Sequence, residues 1–197
     1  YALGRIFGCL RENDLFKNTW VIFTADHGEM LGDHHMSQKN LFFEGSAHVP
    51  LLIMPPQGRS LPHNISVEAP TDLVDIYPTI LAMAGLSSPV SVSGKNLLEP
   101  VPMDRMFFGN SLNKNFCVME EKVKLVYSAV GDHVLLFDLN TDPMEQHNLA
   151  EDPAWQERKA KLWKLLLEHT AQYTPEALGE NGQFLTYEAP HFPGDMP

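Results

Sequence analysis

Residues 19–50 read TWVIFTADHGEMLGDHHMSQKNLFFEGSAHVP. Positions 20–24 are uncharged β-formers, and Ala25-Asp26-His27-Gly28 follows at once. A short apolar run of this kind predicts a buried strand. Polar side chains placed directly after it leave the sheet at its carboxyl edge, where open α/β sheets carry their chemistry. Burial accounts for Val21, Ile22 and Phe23 but not for an acid and an imidazole in the next turn. Asp26 and His27 are both metal-ligand types, and Gly28 lets the backbone bend sharply beside whatever they hold. The plain alternative is a strand-end turn with a surface Asp and a surface His.

Working outward, Lys39 lies twelve positions after His27, Glu44 sits in an apolar run, and Val49-Pro50 opens a second strand-like stretch, LLIM. Two metal-ligand types, a cation and a returning strand make half of a site that handles an anion. The segments DHGEMLGDHHMSQK and FFEGSAHVPLLI resemble the sulfatases of the alkaline-phosphatase superfamily. The branch meant is the one with Asp-His where others have Asp-Asn. It includes choline-sulfatase-like enzymes and phosphonate monoester hydrolases.

The resemblance implies an α/β fold: the C-terminal part of an alkaline-phosphatase-like mixed sheet flanked by helices, then a small antiparallel sheet with a final helix. It implies sulfuric ester hydrolysis, with Asp26 and His27 as two ligands of one divalent cation. Hard oxygen ligands favour Ca²⁺ or Mg²⁺, and an imidazole shifts weight towards Mn²⁺ or Zn²⁺. Ca²⁺ is placed first, with Mn²⁺ or Mg²⁺ as alternatives. Lys39 matches the family lysine that bridges the nucleophile and the sulfate oxygens, where an ammonium offsets developing charge. The plain reading is a solvated loop lysine. His34 is favoured over His35 as a general acid to the leaving alkoxide; either could instead only shape a pocket. Glu29 and Asp33 read as solvated loop acids, with support of a histidine as the alternative.

The family nucleophile, a Cys or Ser converted to formylglycine in Cys/Ser-x-Pro-x-Arg, has no counterpart. Cys9 precedes Leu-Arg-Glu-Asn and Cys117 precedes Val-Met-Glu-Glu. The family's N-terminal Asp-Asp pair is absent too, and position 1 is Tyr. The expectation is a C-terminal portion, inactive alone, whose partners are the N-terminal half and a small sulfated substrate. A phosphonate or phosphate monoester or diester hydrolase is the alternative within the superfamily. A catalytically silent binding module is the alternative outside it.

With 197 residues, a 44% hydrophobic share and a net charge of −11, the chain has room for one sizeable domain and a small lobe. That charge argues against nonspecific nucleic-acid binding. No apolar run reaches the length of a membrane span, so no membrane partner is expected. Oligomeric state and compartment are not legible. The Cys pair has neither a disulfide framework nor metal spacing.

Along the chain, the apolar spacing predicts a helical period over 2–16 that Asn13-Asp14 and Asn18 break, strands at 20–24, 49–54 and 65–69, and a functional polar loop over 29–40. Residues 41–46 read as a short helical turn. Asp72 begins a helix that Pro78 should kink and Gly85 should cap. Its D-x-x-P-T stretch continues the family resemblance. A linker over 86–103 leads to strands at 105–109, 116–120, 122–129 and 134–138, with Gly131-Asp132 as a hairpin turn. LFDLNTDPMEQHNLAED resembles the family's signature before a final helix, capped by Asp152 with Pro153 at its first position. Trp155, Leu162, Trp163 and Leu166 form its apolar stripe. The expected domains are 1–100, 101–171 and an extended tail over 172–197, wrapping the surface or disordered. His48 stands where many relatives carry Arg. His133, His147 and His169 read as isolated, on the surface or a helix face.

Overall fold

The computed structural model describes residues 1–39, 41–59 and 64–189, and these form two units: 1–26 with 49–103, and 27–48 with 104–189. The class is α/β, as predicted, with small antiparallel sheets and helices.

In the first unit, helix α1 spans Ala2–Glu12. It ends at the predicted Asn13-Asp14 break: Asp14 takes a left-handed conformation (φ 57°), and Leu15–Lys17 follows as a single 3₁₀ turn. Phe7 stacks on Phe16 across that break at 6.1 Å. Strand β1 (Val21–Thr24) pairs antiparallel with β2 (Leu51–Met54), Val21 opposite Met54 and Thr24 opposite Leu51. The predicted strand at 65–69 does not form; those residues are irregular. Ile65, Val67 and Ala69 do alternate with Ser66 and Glu68, but no strand among the described residues pairs with them, and Ile65 and Val67 stay exposed.

Helix α3 covers Ile76–Met83, preceded by a 3₁₀ turn at Leu73–Asp75. Asp72 and Asp75 form a reciprocal capping box. Pro78 falls in the first turn of α3, where its missing N–H has no intrahelical partner to lose, so the chain breaks before it rather than at it. Gly85 (φ 74°) ends the helix in a Schellman arrangement: its amide donates to the Ala82 carbonyl and that of Leu86 to Leu81. The D-x-x-P-T residues have a structural task. Asp75 is fully buried and accepts the Lys95 amide at 2.7 Å, while Thr79 donates to the Asp75 carbonyl and accepts the Leu97 amide. The predicted linker is therefore stitched to α3 at residues 95–97.

The second unit is built on an antiparallel meander, β3 (Phe107–Ser111), β4 (Asn115–Glu120), β5 (Val123–Ser128) and β6 (His133–Asp138). Gly131 and Asp132 both have positive φ, as a tight hairpin turn requires. So do Leu112-Asn113 and Glu121-Lys122 in the other two turns. Helix α4 (Gln156–Tyr173) follows the predicted cap, with the Asp152 carboxylate accepting the Ala154 amide and Pro153 in the first turn. Leu162 and Leu166 bury completely against Phe116, Val118, Leu125, Tyr127 and Leu136. Burial of each such side chain contributes about 1.5–3 kcal/mol.

Alternation sorts the sheet's two faces. Val123, Leu125 and Tyr127 join Leu136 in the α4 core, whereas Phe137 packs with Met30 and Phe43 on the other side. Segment 27–48 thus covers the second face. Gly109 of β3 lies under the Phe42 ring, leaving no space for a side chain there. The chain after α4 is not merely wrapped on the surface up to residue 189. Phe184 enters the core, its ring 4.5 Å from Phe116 and 4.6 Å from Tyr127, and Tyr187 bridges to Val130. A single aromatic anchor has no periodicity, so the sequence pattern hides it. The end of the predicted tail, 190–197, lies outside the described residues.

Candidate functional site

Asp26 closes the first unit as an exposed side chain just past β1. His27 opens the second. Its Nδ1 is 2.7 Å from the Gly28 carbonyl. A carbonyl can only accept, so Nδ1 carries the proton and Nε2 presents its lone pair. Lys39 directs its ammonium at that Nε2. An imidazole fixed by a backbone carbonyl at one nitrogen and offering the other to a cation is oriented as a metal-bound histidine is.

The backbone around the pair is held closely. The Gly28 amide donates to the Ser46 carbonyl at 2.7 Å, and a Cβ on Gly28 would run into the carbonyl oxygen of Gly45. Both acceptors lie on α2, the short helix Glu44–Ala47. Buried Ser46 also donates its hydroxyl to the Lys39 carbonyl at 2.9 Å. Between them, the loop closes on itself through Met30 N–H to the Gln38 carbonyl and Gly32 N–H to the Met36 carbonyl. Leu31, His34, His35 and Gln38 all sit at positive φ, between 50° and 72°. Non-glycine residues avoid this region, and such strain concentrates at functional sites.

His34 stacks on Phe43 with ring centroids 4.2 Å apart and is half-buried, while His35, Glu29 and Asp33 are exposed. His48 Nδ1 lies 2.8 Å from Glu44 Oε2. His169 stacks on Phe108 at 3.9 Å, away from this loop in sequence and part of the α4 side. Burial pushes the Cys117 thiol up to about 12, beyond reach of a thiolate nucleophile at neutral pH.

Residues with no predicted role complete the support. Lys124 of β5 is buried and reaches Glu44 Oε1 at 2.6 Å and the Phe42 carbonyl at 2.8 Å. It also faces Glu145 Oε1 at 2.8 Å, as an ion pair rather than an aligned hydrogen bond. Burial pulls its ammonium down, but the Glu145 and Glu44 carboxylates outweigh this and hold it above the ordinary lysine value. A lysine between Val123 and Leu125 in a strand gave no signal beyond its place in the alternation.

Among the described residues, no three His, Cys, Asp or Glu side chains converge as a metal shell. Asp26 and His27 are of donor types that fit part of a shell for a divalent cation. No helix among the described residues is long and apolar enough to cross a membrane.

Residues 1–86 match the family model named Sulfatase. The chain belongs to the sulfatase family. It is 34% identical over 168 residues to Arylsulfatase K of Xenopus laevis, covering 75% of this chain and 31% of that protein. It is 31% identical to the uncharacterized sulfatase YidJ of Escherichia coli (strain K12), covering 85% of this chain and 35% of that protein. A solved structure, the phosphonate monoester hydrolase of Agrobacterium radiobacter, matches with a TM-score of 0.67 at 32% identity, over 91% of this chain and 41% of that one. The chain spans about a third of the length of the curated relatives it matches. Sulfatases generally use a metal ion and a formylglycine. The sulfatase match takes in Asp26, His27, His34 and Lys39, and it takes in α2.

Proposed function

We propose that this chain is part of a sulfuric ester hydrolase and carries half of its metal and sulfate site. The observation that carries the reading is the His27–Lys39 pair: an oriented imidazole lone pair beside a lysine ammonium on a strained loop. Asp26 and His27, consecutive in sequence, would supply two ligands to a divalent cation, Ca²⁺ in first place and Mn²⁺ or Mg²⁺ after it. When bound, that cation supplies Lewis-acid polarisation of the ester oxygens. Lys39 holds an anionic group by its charge and offsets negative charge as it develops on the transferring oxygens. His34 delivers a proton to the leaving alkoxide. The formylglycine nucleophile and further ligands would come from the N-terminal part of the same enzyme, and the substrate is a small sulfate ester.

The likeness to a phosphonate monoester hydrolase over 91% of this chain supports a second reading, hydrolysis of phosphonate or phosphate esters at the same residues. Tetrahedral sulfate and phosphate esters present similar oxygen geometry. The test is mass spectrometry of the full-length enzyme, combined with turnover of aryl sulfate, phosphate and phosphonate esters. Formylglycine with predominant sulfate release supports the sulfatase reading. Predominant phosphonate turnover moves the assignment to the second. No turnover of any ester overturns both and leaves a binding module.

A further inference from the structure

The His27–Lys39 pair is bedded on a four-carbon cation from the small sheet. Lys124 has a side chain only 3% exposed, and Glu145, from the loop after β6, only 2%. Glu145 divides its two oxygens. Oε1 faces Lys124 Nζ, and Oε2 accepts the backbone amide of Glu44 at 2.7 Å. Lys124 in turn holds the Glu44 carboxylate and the Phe42 carbonyl. The segment entering α2 is therefore gripped at three points: the carbonyl of residue 42, the amide of residue 44 and the side chain of residue 44. From α2 the grip passes on through Ser46, whose carbonyl accepts the Gly28 amide and whose hydroxyl donates to the Lys39 carbonyl. Those two contacts sit next to His27 and on Lys39 itself.

The geometry points to Lys124 and Glu145 as positioning residues that set the placement of His27 and Lys39 through α2. Neither touches the pair. A buried lysine flanked by two carboxylates is a poor way to gain stability, since desolvation offsets most of the Coulomb attraction. It is a good way to fix register, because its bonds are directional and a slipped α2 would strand a charge in the interior. Apolar packing of Phe43 on Phe137 supplies adhesion between segment and sheet but tolerates sliding. This assignment rests on the hydrolase reading only for what the positioned pair does, not for the coupling itself.

Amide hydrogen exchange on the full chain, read by NMR, tests the coupling. Lys124→Met alone leaves carboxylates without their cation and lowers stability. Lys124→Met with Glu145→Leu is therefore measured beside it, because it removes the buried carboxylate with the cation and leaves only that of Glu44, which is partly exposed and also contacted by His48. In the double variant the Gly28 amide is expected to exchange on the order of tenfold faster or more, while β4 and β5 amides hold their protection, the pattern of local opening. Equal acceleration across the sheet and Gly28, or no change at Gly28, overturns the assignment. The readout needs neither metal nor substrate, so an inactive enzyme with this exchange pattern would count against the hydrolase reading alone.

Discussion

The Lys39 ammonium lies against Nε2 of His27, twelve residues earlier in the chain. The imidazole Nδ1 donates to the Gly28 carbonyl at 2.7 Å, so the Nε2 lone pair faces the ammonium. Both side chains belong to a loop with four non-glycine residues, Leu31, His34, His35 and Gln38, at positive φ.

Lys39 carries the first prediction. In the full-length enzyme, Lys39→Ala is expected to lower kcat on the order of 10²-fold, comparable to loss of one oxyanion donor. Steady-state kinetics on an aryl sulfate checks this. Turnover close to wild type would make Lys39 a solvated loop residue.

Gly28 has no room for a side chain because the Gly45 carbonyl occupies the space. Gly28→Ala is expected to destabilise by about 1–3 kcal/mol, the range for forced repacking. Gly8→Ala on α1 meets nothing within 4 Å and is expected to be neutral or stabilising by up to about 1 kcal/mol. Urea unfolding of both variants gives the comparison.

Lys124→Met removes the cation between Glu44 and Glu145. The loss is expected to be about 3–5 kcal/mol, and Lys124→Met with Glu145→Leu should recover most of it. Denaturant midpoints at constant slope would show the pattern. Equal losses in both variants would mean that packing, not charge, sets the cost.

His169 is held below its ordinary pKa by burial against Phe108. The unfolded chain therefore takes up its proton at higher pH than the folded chain does. The stability associated with a neutral ring is present above the ordinary histidine value of about 6.5 and is lost as pH falls towards the lowered one. His169→Phe keeps an aromatic on Phe108 and should flatten this part of the profile. Melting temperatures at pH 7.5 and 5 for both proteins test it, and identical slopes would contradict it.

Much of this was legible in residues whose chemistry acts locally. The strand ending at Thr24 before Asp26-His27 was legible, though not its burial, since β1 has no buried residue and Phe23 is exposed; the Gly85 cap, the Gly131-Asp132 turn and the Asp152-Pro153 helix start were legible too. Features that depend on distant partners were not. Glu121-Lys122 turns at positive φ without Gly or Asn, under the Arg158 guanidinium that reaches the Glu120 carbonyl and Glu121 carboxylate. Phe184 anchors a segment with no repeat, and Lys124 reads as a strand lysine until Glu44 and Glu145 stand beside it. Placing a strand at 65–69 failed although Ile65, Val67 and Ala69 alternate with polar residues, because alternation makes a strand only where a neighbour pairs with it, and no described strand does. The family pattern singles out Asp26, His27, His34 and Lys39 as candidates, whereas the support from Ser46 and α2 left no signal in it.

The most direct test of the account is metal content and sulfate release of the full-length enzyme carrying Asp26→Ala, measured on one preparation. The account predicts that both are lost together while the protein stays folded. Sulfate release at the wild-type rate would contradict the assignment of Asp26 and His27 as ligands, and with it the reading of this loop as half of a sulfate site.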